Sequence, residues 1–314
     1  MARSTSSPVA ASGTASHAVP ERSLALHLLL SLRPAQWTKN LLVFAGLQFG
    51  LKLRDLPSVL DAVSAFVVFC VLSGVVYLVN DVADRESDRQ HPLKSQRSIA
   101  SGALPVPAAV GAAAVLGACA VAAAYAVDPM FAAVAAAYLA LQLLYSFLLK
   151  HIVILDVLTL AIGFVLRAVG GAVAVHVEIS RWLLVCTIQG ALFIALAKRR
   201  HEIVLLAGEA TSHRPILGEY SPYLLDQMIG VVTASTLISY IFYTISPETQ
   251  AKFGTAWLGL TIPFPLYGIF RYLYLVHQRE GGGSPADLLL ADRPLLACVA
   301  LWALTVALII YRPV

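Results

Sequence analysis

Stretches of about twenty apolar residues recur along this chain, parted by short polar segments, and that rhythm restricts the fold more than any other feature. Crossing the hydrocarbon core of a bilayer takes roughly 20 such residues. Inside it each segment must satisfy its own backbone amides, which favours helices. Nine runs approach that length, at approximately 38–53, 58–80, 105–126, 130–148, 152–174, 181–197, 222–246, 255–276 and 292–311. The first is the weakest, because Gly46, Gly50 and Lys52 shorten it. The expected fold class is all-α: a polytopic membrane protein with about nine transmembrane helices. Composition agrees, since 59% of the 314 residues are hydrophobic and mean hydropathy is +0.77, far from soluble-domain values.

Residues 1–21, rich in Ser, Ala, Thr and Pro with no apolar core, read as a disordered tail. No cleavable signal peptide is evident. Residues 22–314 read as one transmembrane domain. Leu24 to Leu32 is too short to span, and the following Arg33-Pro34-Ala35-Gln36-Trp37-Thr38-Lys39-Asn40 has the Trp and basic residues of a membrane interface. Cys70, Cys119, Cys186 and Cys298 lie within apolar runs without close spacing, so they read as packing residues. The net charge of +4, with bases interleaved among acids, argues against a nucleic-acid partner.

With the N-terminus in the cytoplasm, segments 1–39, 81–104, 149–151, 198–221 and 271–293 lie inside and hold sixteen Lys and Arg. Five lie outside (Lys52, Arg54, Arg181, Lys252 and Arg312), and Arg167 remains within a helix. That bias fits the positive-inside rule. Both long polar loops, 81–104 and 198–221, then share the cytoplasmic face.

The first of these loops concentrates four acids and four bases within residues 80–97, in a chain only 13% charged. If the preceding helix continues past Val79 at about 100° per residue, Asp81, Asp84 and Asp88 fall within roughly 60° of one another. Carboxylates so close call for a cation. Hard oxygen ligands favour Mg²⁺, which commonly shares its shell with substrate phosphates. The plainer alternative is a solvated helix end that pairs Asp81 with Arg85 and Glu86 with Arg89. It does not explain why three acids share one face at the mouth of a membrane helix, where ionisable groups are costly.

The pattern Asn80-Asp81-x-x-Asp84-x-x-x-Asp88, followed by His91-Pro92, Lys94, Arg97 and Ile99-Ala100-Ser101-Gly102, resembles the first aspartate-rich motif of the UbiA superfamily of intramembrane prenyltransferases. The resemblance implies a helical horseshoe with a cytoplasmic cap over a central cavity that opens sideways to lipid. It also implies Mg²⁺ at Asp81, Asp84 and Asp88, the expected catalytic residues.

A second charged cluster, Lys198-Arg199-Arg200-His201-Glu202, closes the sixth run. Alone it reads as a stop-transfer cluster that fixes topology. In aromatic prenyltransferases of the superfamily the corresponding loop carries a second aspartate-rich motif, which this chain lacks. Lys198 and Arg199 beside Glu202 suggest direct phosphate binding by cations. That combination resembles the branch of decaprenyl-phosphate phosphoribosyltransferases. Further matches are Arg33-Pro-x-Gln36-Trp37-x-Lys39-Asn40, Tyr77-Leu-Val-Asn80-Asp81, Tyr145-x-x-x-Leu149-Lys150, Leu166-Arg167-Ala168-x-x-Gly171 and Asp292-Arg293. They extend over about residues 30–311. Ser98 departs from the branch, which commonly has Pro after the arginine.

This likeness implies phosphoribosyl diphosphate as donor, a polyprenyl phosphate as acceptor, membrane lipids as surroundings, and a route to cell-wall arabinan. Expected substrate contacts are Asn80, Lys39, Lys94, Arg97, Lys150, Arg167, Lys198, Arg199 and Glu202. Lys150 could instead serve topology alone, and Arg167 could be a structural pair, with Asp156 as its partner or as a cavity residue. Tyr77 and Tyr145 read first as packing aromatics, and Trp37 as an interface anchor. Two rival functions stay open: an aromatic prenyltransferase using an isoprenoid diphosphate, and an ion-coupled transporter. The transporter is disfavoured because hydropathy shows no inverted repeat and the acids cluster at one surface. Acceptor length and a homo-oligomeric state are left open.

Overall fold

A computed structural model of the protein describes residues 23–91, 94–178, 180–206, 215–278, 288 and 291–311. The expected disordered tail, 1–21, lies outside them. Among the described residues every regular element is helical. After α1 (Leu24–Ser31) comes a tightly wound 3₁₀ stretch, Pro34–Phe44, that runs into α2 (Ala45–Phe49). Then follow α3 (Leu56–Ala83), α4 (Arg85–Gln90), α5 (Val106–Val127), α6 (Pro129–Phe147), α7 (Leu155–Ala174) and α8 (Arg181–Leu206). The chain ends with α9 (Pro222–Ile245), α10 (Pro247–Phe253), α11 (Pro263–Gln278) and α12 (Arg293–Ile310).

Seven of the described helices are long and apolar enough to cross a bilayer, or eight if the bent pair Pro247–Phe253 and Trp257–Gln278, which meet at 102°, counts as one span. The chain is a multi-pass membrane protein, and nine spans is an approximate count. The run 38–53 accounts for the difference, because it forms the wound stretch and the short α2 instead of a spanning helix. Backbone contact explains why. A Cβ added at Gly171 of α7 would sit 2.0 Å from the carbonyl oxygen of Val43, and one at Gly46 would sit 2.6 Å from Cα of Ala172. Glycines on both partners let the segment lie directly on α7.

Helix starts follow local chemistry. Asp128, Ser221 and Asp292 accept from the backbone N–H three residues on, at 2.9, 3.1 and 2.9 Å, and proline opens the first turn in each case. One core joins the wound stretch to α3, α5, α6 and α7 around Val43, Phe69, Leu72, Phe131 and Tyr138. A second joins α7, α8, α9, α11 and α12 around Phe193, Leu196, Leu225 and Tyr272.

Within the first core sits a polar network. Arg167 of α7 donates through Nε to Asn40 Oδ1 and through Nη2 to Tyr138 Oη, both at 2.7 Å. Ser73 donates to Asn40 Oδ1 at 3.2 Å, and Asn40 donates to Cys70 Sγ at 3.3 Å. The guanidinium also lies over the rings of Tyr138 and Phe164, at 4.8 and 5.1 Å. Four chain segments are thereby tied at mid-depth by neutral partners around one buried cation.

Candidate active site

The acids of the first polar loop gather one cation from their own loop and two from other parts of the chain. Asp81 and Asp88 are almost wholly buried. Arg97 Nη1 donates to Asp81 Oδ1 at 3.1 Å and to Asp88 Oδ2 at 2.6 Å, so two carboxylates converge on one nitrogen. Arg33 Nη2 donates to the same Asp81 oxygen at 2.5 Å. Lys150, from the α6–α7 connection, donates to Asp84 Oδ1 at 2.7 Å, while Asn80 Nδ2 donates to Asp84 Oδ2 at 2.9 Å.

Local structure fixes these positions. The loop that carries Arg97 is anchored by Ile99 and Leu104, which pack with Val75, Leu78 and Ala109. Its turn uses Gly102 at φ 85° and a 2.8 Å bond from Leu104 N–H to Ser98 O. Ser98 Oγ also meets His27 Nδ1 of α1 at 3.1 Å, so the serine that replaces the expected proline has a partner of its own. Arg33 adopts the left-handed region at φ 52° and lies over the Tyr77 ring at 4.6 Å on its way to Asp81. A non-glycine residue held there is strained, and such strain concentrates at functional sites.

One continuous helical face for the three acids is not what the backbone adopts. The helix is interrupted at Asp84 (φ −91°, ψ 6°), which turns to Lys150 while Asp81 and Asp88 converge on Arg97. Among the described residues no three acidic, histidine or cysteine side chains form a ready-made metal cage. Mg²⁺ does not need one, as it takes one or two carboxylates and completes its shell with water and phosphate oxygens. Two buried carboxylates already aimed at a single cationic nitrogen fit that donor set. Of the two ion pairs in the salt-bridged alternative, Glu86 to Arg89 is present at 3.2 Å, but Asp81 turns to Arg33 and Arg97 instead of Arg85.

Within the second cluster Arg199 is buried. Arg199, 2% exposed, donates through Nε to Asp156 Oδ2 and through Nη1 to Glu202 Oε2, both at 3.0 Å. Tyr220 Oη donates to Asp156 Oδ1 at 2.7 Å and accepts from Ile154 N–H at 2.8 Å. Ile154 has φ 69°, rare for a β-branched residue. Burial, together with the bond to Asp156, pushes the Tyr220 hydroxyl up to about 12, so it stays a donor. Lys198 is half-exposed, 3.9 Å from Glu202.

The Arg199 guanidinium, expected to bind phosphate directly, is bonded here to Asp156 and Glu202. Nor is Asp156 the partner of Arg167: it lies eleven residues, about 16 Å, up the same helix and is fully buried against Arg199 and Tyr220. Lys94 is half-buried and its backbone N–H donates to His91 Nδ1 at 3.3 Å, while Lys39 is half-buried on the wound stretch beside Asn40. Arg33 and Tyr220 are the residues that reading the sequence left out of the two charged clusters. Arg33 had a signal, a basic residue before proline in the interface segment. Tyr220 had none.

Residues 41–287 match the UbiA prenyltransferase family. A decaprenyl-phosphate phosphoribosyltransferase of Corynebacterium glutamicum is 35% identical over 93% of this chain and 89% of its own length. One from Mycobacterium tuberculosis is 34% identical over 91% and 95%. Among solved structures, a UbiA homologue from Archaeoglobus fulgidus bound to DMAPP and Mg²⁺ superposes with a TM-score of 0.71 at 20% identity, covering 93% of this chain and all of that one. The fold, the paired acids and these likenesses together place the chain in the UbiA prenyltransferase family.

Proposed function

We propose that this enzyme transfers a 5-phosphoribosyl group from phosphoribosyl diphosphate to a polyprenyl phosphate of the decaprenyl type, releasing diphosphate. The observation that carries the reading is the charge of the site: Arg33, Arg97 and Lys150 converge on Asp81, Asp84 and Asp88. A donor with both a diphosphate and a 5-phosphate needs that many cations. The near full-length identity to proteins named for this reaction supports it. The lysine and arginine count supports a site on the cytoplasmic face of the inner membrane, where a soluble donor would meet a lipid acceptor.

Asp81 and Asp88, with Asp84, would hold Mg²⁺, which when bound offsets the negative charge that gathers on the leaving diphosphate. The bond from the ribose anomeric carbon to the diphosphate oxygen breaks, and its electron pair leaves with diphosphate. A phosphate oxygen of the acceptor forms the new bond to that carbon. The acceptor phosphate is already ionised, so no general base is required. Arg33, Arg97 and Lys150 exchange carboxylate for phosphate oxygens as the donor binds, and Lys94 and Lys198 add charge at the mouth. Arg199, locked between Asp156 and Glu202, positions the α7–α8 wall.

Purified protein incubated with labelled phosphoribosyl diphosphate, Mg²⁺ and polyprenyl phosphates of several lengths tests the assignment. A labelled, lipid-soluble product that disappears with excess chelator is expected. Transfer only from an isoprenoid diphosphate to an aromatic acceptor would assign the aromatic prenyltransferase activity instead.

A further inference from the structure

At the opposite end of the bundle from Asp156, roughly 30 Å along α7, a cavity of about 330 Å³ opens between α2, the α7–α8 connection, α9 and α10. Its size is within the ~300–1,000 Å³ range of small-molecule sites. Glu178, Glu248, Arg181 and Lys252 line it, two acids and two bases. Those bases are two of the five Lys and Arg that the charge count leaves on the outer face. Among the described residues none of the four forms an ion pair with another, although Glu178 is close enough to Lys252 for its charge to act there.

The buried wall adds a separate observation. Tyr243 lines the cavity and is 3% exposed, its ring edge-on to Phe49 with centroids 6.1 Å apart. Among the described residues its hydroxyl has no hydrogen-bond partner. The hydroxyl keeps access to the cavity, where it can donate to a ligand. A cavity with an accessible hydroxyl in its wall, an apolar floor and balanced, unpaired charges at its mouth is suited to a zwitterion with an apolar tail.

We propose that this cavity binds the headgroup of an aminophospholipid from the leaflet opposite the aspartates. The phosphate sits between Arg181 and Lys252, the ammonium between Glu178 and Glu248, and the Tyr243 hydroxyl donates to a phosphate or ester oxygen. The chains pass over Phe49 and Phe253. An anionic headgroup fits worse, because its phosphate would face both glutamates without an ammonium between them. The site is independent of the transfer chemistry on the other face.

The test titrates full-length protein in detergent with short-chain phosphatidylethanolamine, phosphatidylglycerol or phosphatidylcholine and with soluble phosphoethanolamine, reading occupancy by native mass spectrometry. Phosphatidylethanolamine is expected to bind at least about fivefold more tightly than the other three. Tyr243→Phe, and separately the pair Arg181→Ala/Lys252→Ala, should weaken it by about tenfold, the scale of one charge-assisted contact. Glu178→Gln/Glu248→Gln should erase the preference over phosphatidylglycerol. Unfolding temperatures of the lipid-free variants, expected to match wild type, show that they fold. Equal binding of phosphatidylglycerol by wild type, or unchanged phosphatidylethanolamine binding in Arg181→Ala/Lys252→Ala, overturns the proposal. Soluble phosphoethanolamine binding as tightly as the lipid would reassign the cavity to a water-soluble zwitterion and overturn the lipid source.

Discussion

Asp156→Leu removes the acid that holds Arg199, and its consequences can be worked out from the burial of the pair. Both side chains are nearly inaccessible, at 0% and 3% exposure, so the remaining guanidinium would keep Glu202 alone and Tyr220 would lose its acceptor. Breaking a buried pair from one side costs about 3–5 kcal/mol. Arg199→Met, which strands Asp156, should cost a similar amount. The double variant Asp156→Leu/Arg199→Met replaces the pair with apolar groups, an exchange that is often neutral. It should be more stable than either single variant. Chemical unfolding in mixed micelles measures all four proteins, and calorimetry of phosphoribosyl diphosphate with Mg²⁺ reads donor affinity alongside. If Arg199 only positions α8 against α7, the folded double variant binds donor within about threefold of wild type. A phosphate contact at Arg199 would instead cost about ten- to a hundredfold. Losses that add to within about 0.5 kcal/mol, together with a collapse of donor affinity, would refute the buried-pair reasoning.

Asp81→Asn and Asp88→Asn should each lower transfer at saturating donor by at least about a hundredfold while leaving the unfolding temperature close to wild type; activity within threefold in both would remove the acids from the chemistry. Gly171→Ala should destabilise by about 3 kcal/mol or more, since the new methyl meets the Val43 carbonyl at 2.0 Å, whereas Gly163→Ala meets the movable end of Gln142 and should cost less; equal unfolding midpoints would contradict the backbone contact. Tyr220 in the folded protein titrates at about 12 instead of 10, so the stability it contributes is complete below pH 10 and is lost as pH rises towards 12. Tyr220→Phe should therefore show a flatter decline than wild type across that window in a thermal-unfolding series.

Hydropathy made the long helices legible because burial in lipid is a property of each run alone. The run 38–53 misled for the opposite reason. Its fate depends on Gly171, more than a hundred residues away, which no local count contains. The aspartate-rich motif could be located from spacing, but its electrostatic partners could not. Arg33 is 48 residues before Asp81 and Lys150 is 66 after Asp84; in the second cluster, likewise, Arg199 is 43 after Asp156. Each of these pairings is made by packing. The interruption at Asp84 was equally hidden, since the sequence there contains neither glycine nor proline to announce it.

The network around Arg167 bears on ion leakage. The proposed transfer needs a cleft that admits a soluble diphosphate from one face and a lipid from the side, which would leave only part of the bilayer thickness to keep protons and sodium apart. Arg167 lies twelve residues into α7, about 18 Å along it, and a guanidinium stays charged at any physiological pH. Its hydrogen-bond partners, Asn40 and Tyr138, are neutral, and no described carboxylate pairs with it. The positive field is therefore uncancelled at the depth where a wetted cleft would be thinnest, and it raises the energy of any cation that strays inward, as fixed positive charge does in selective pores. In such a cleft the residue that joins four segments would thus also serve as an electrostatic stopper, keeping an enzyme open to both phases from becoming a channel.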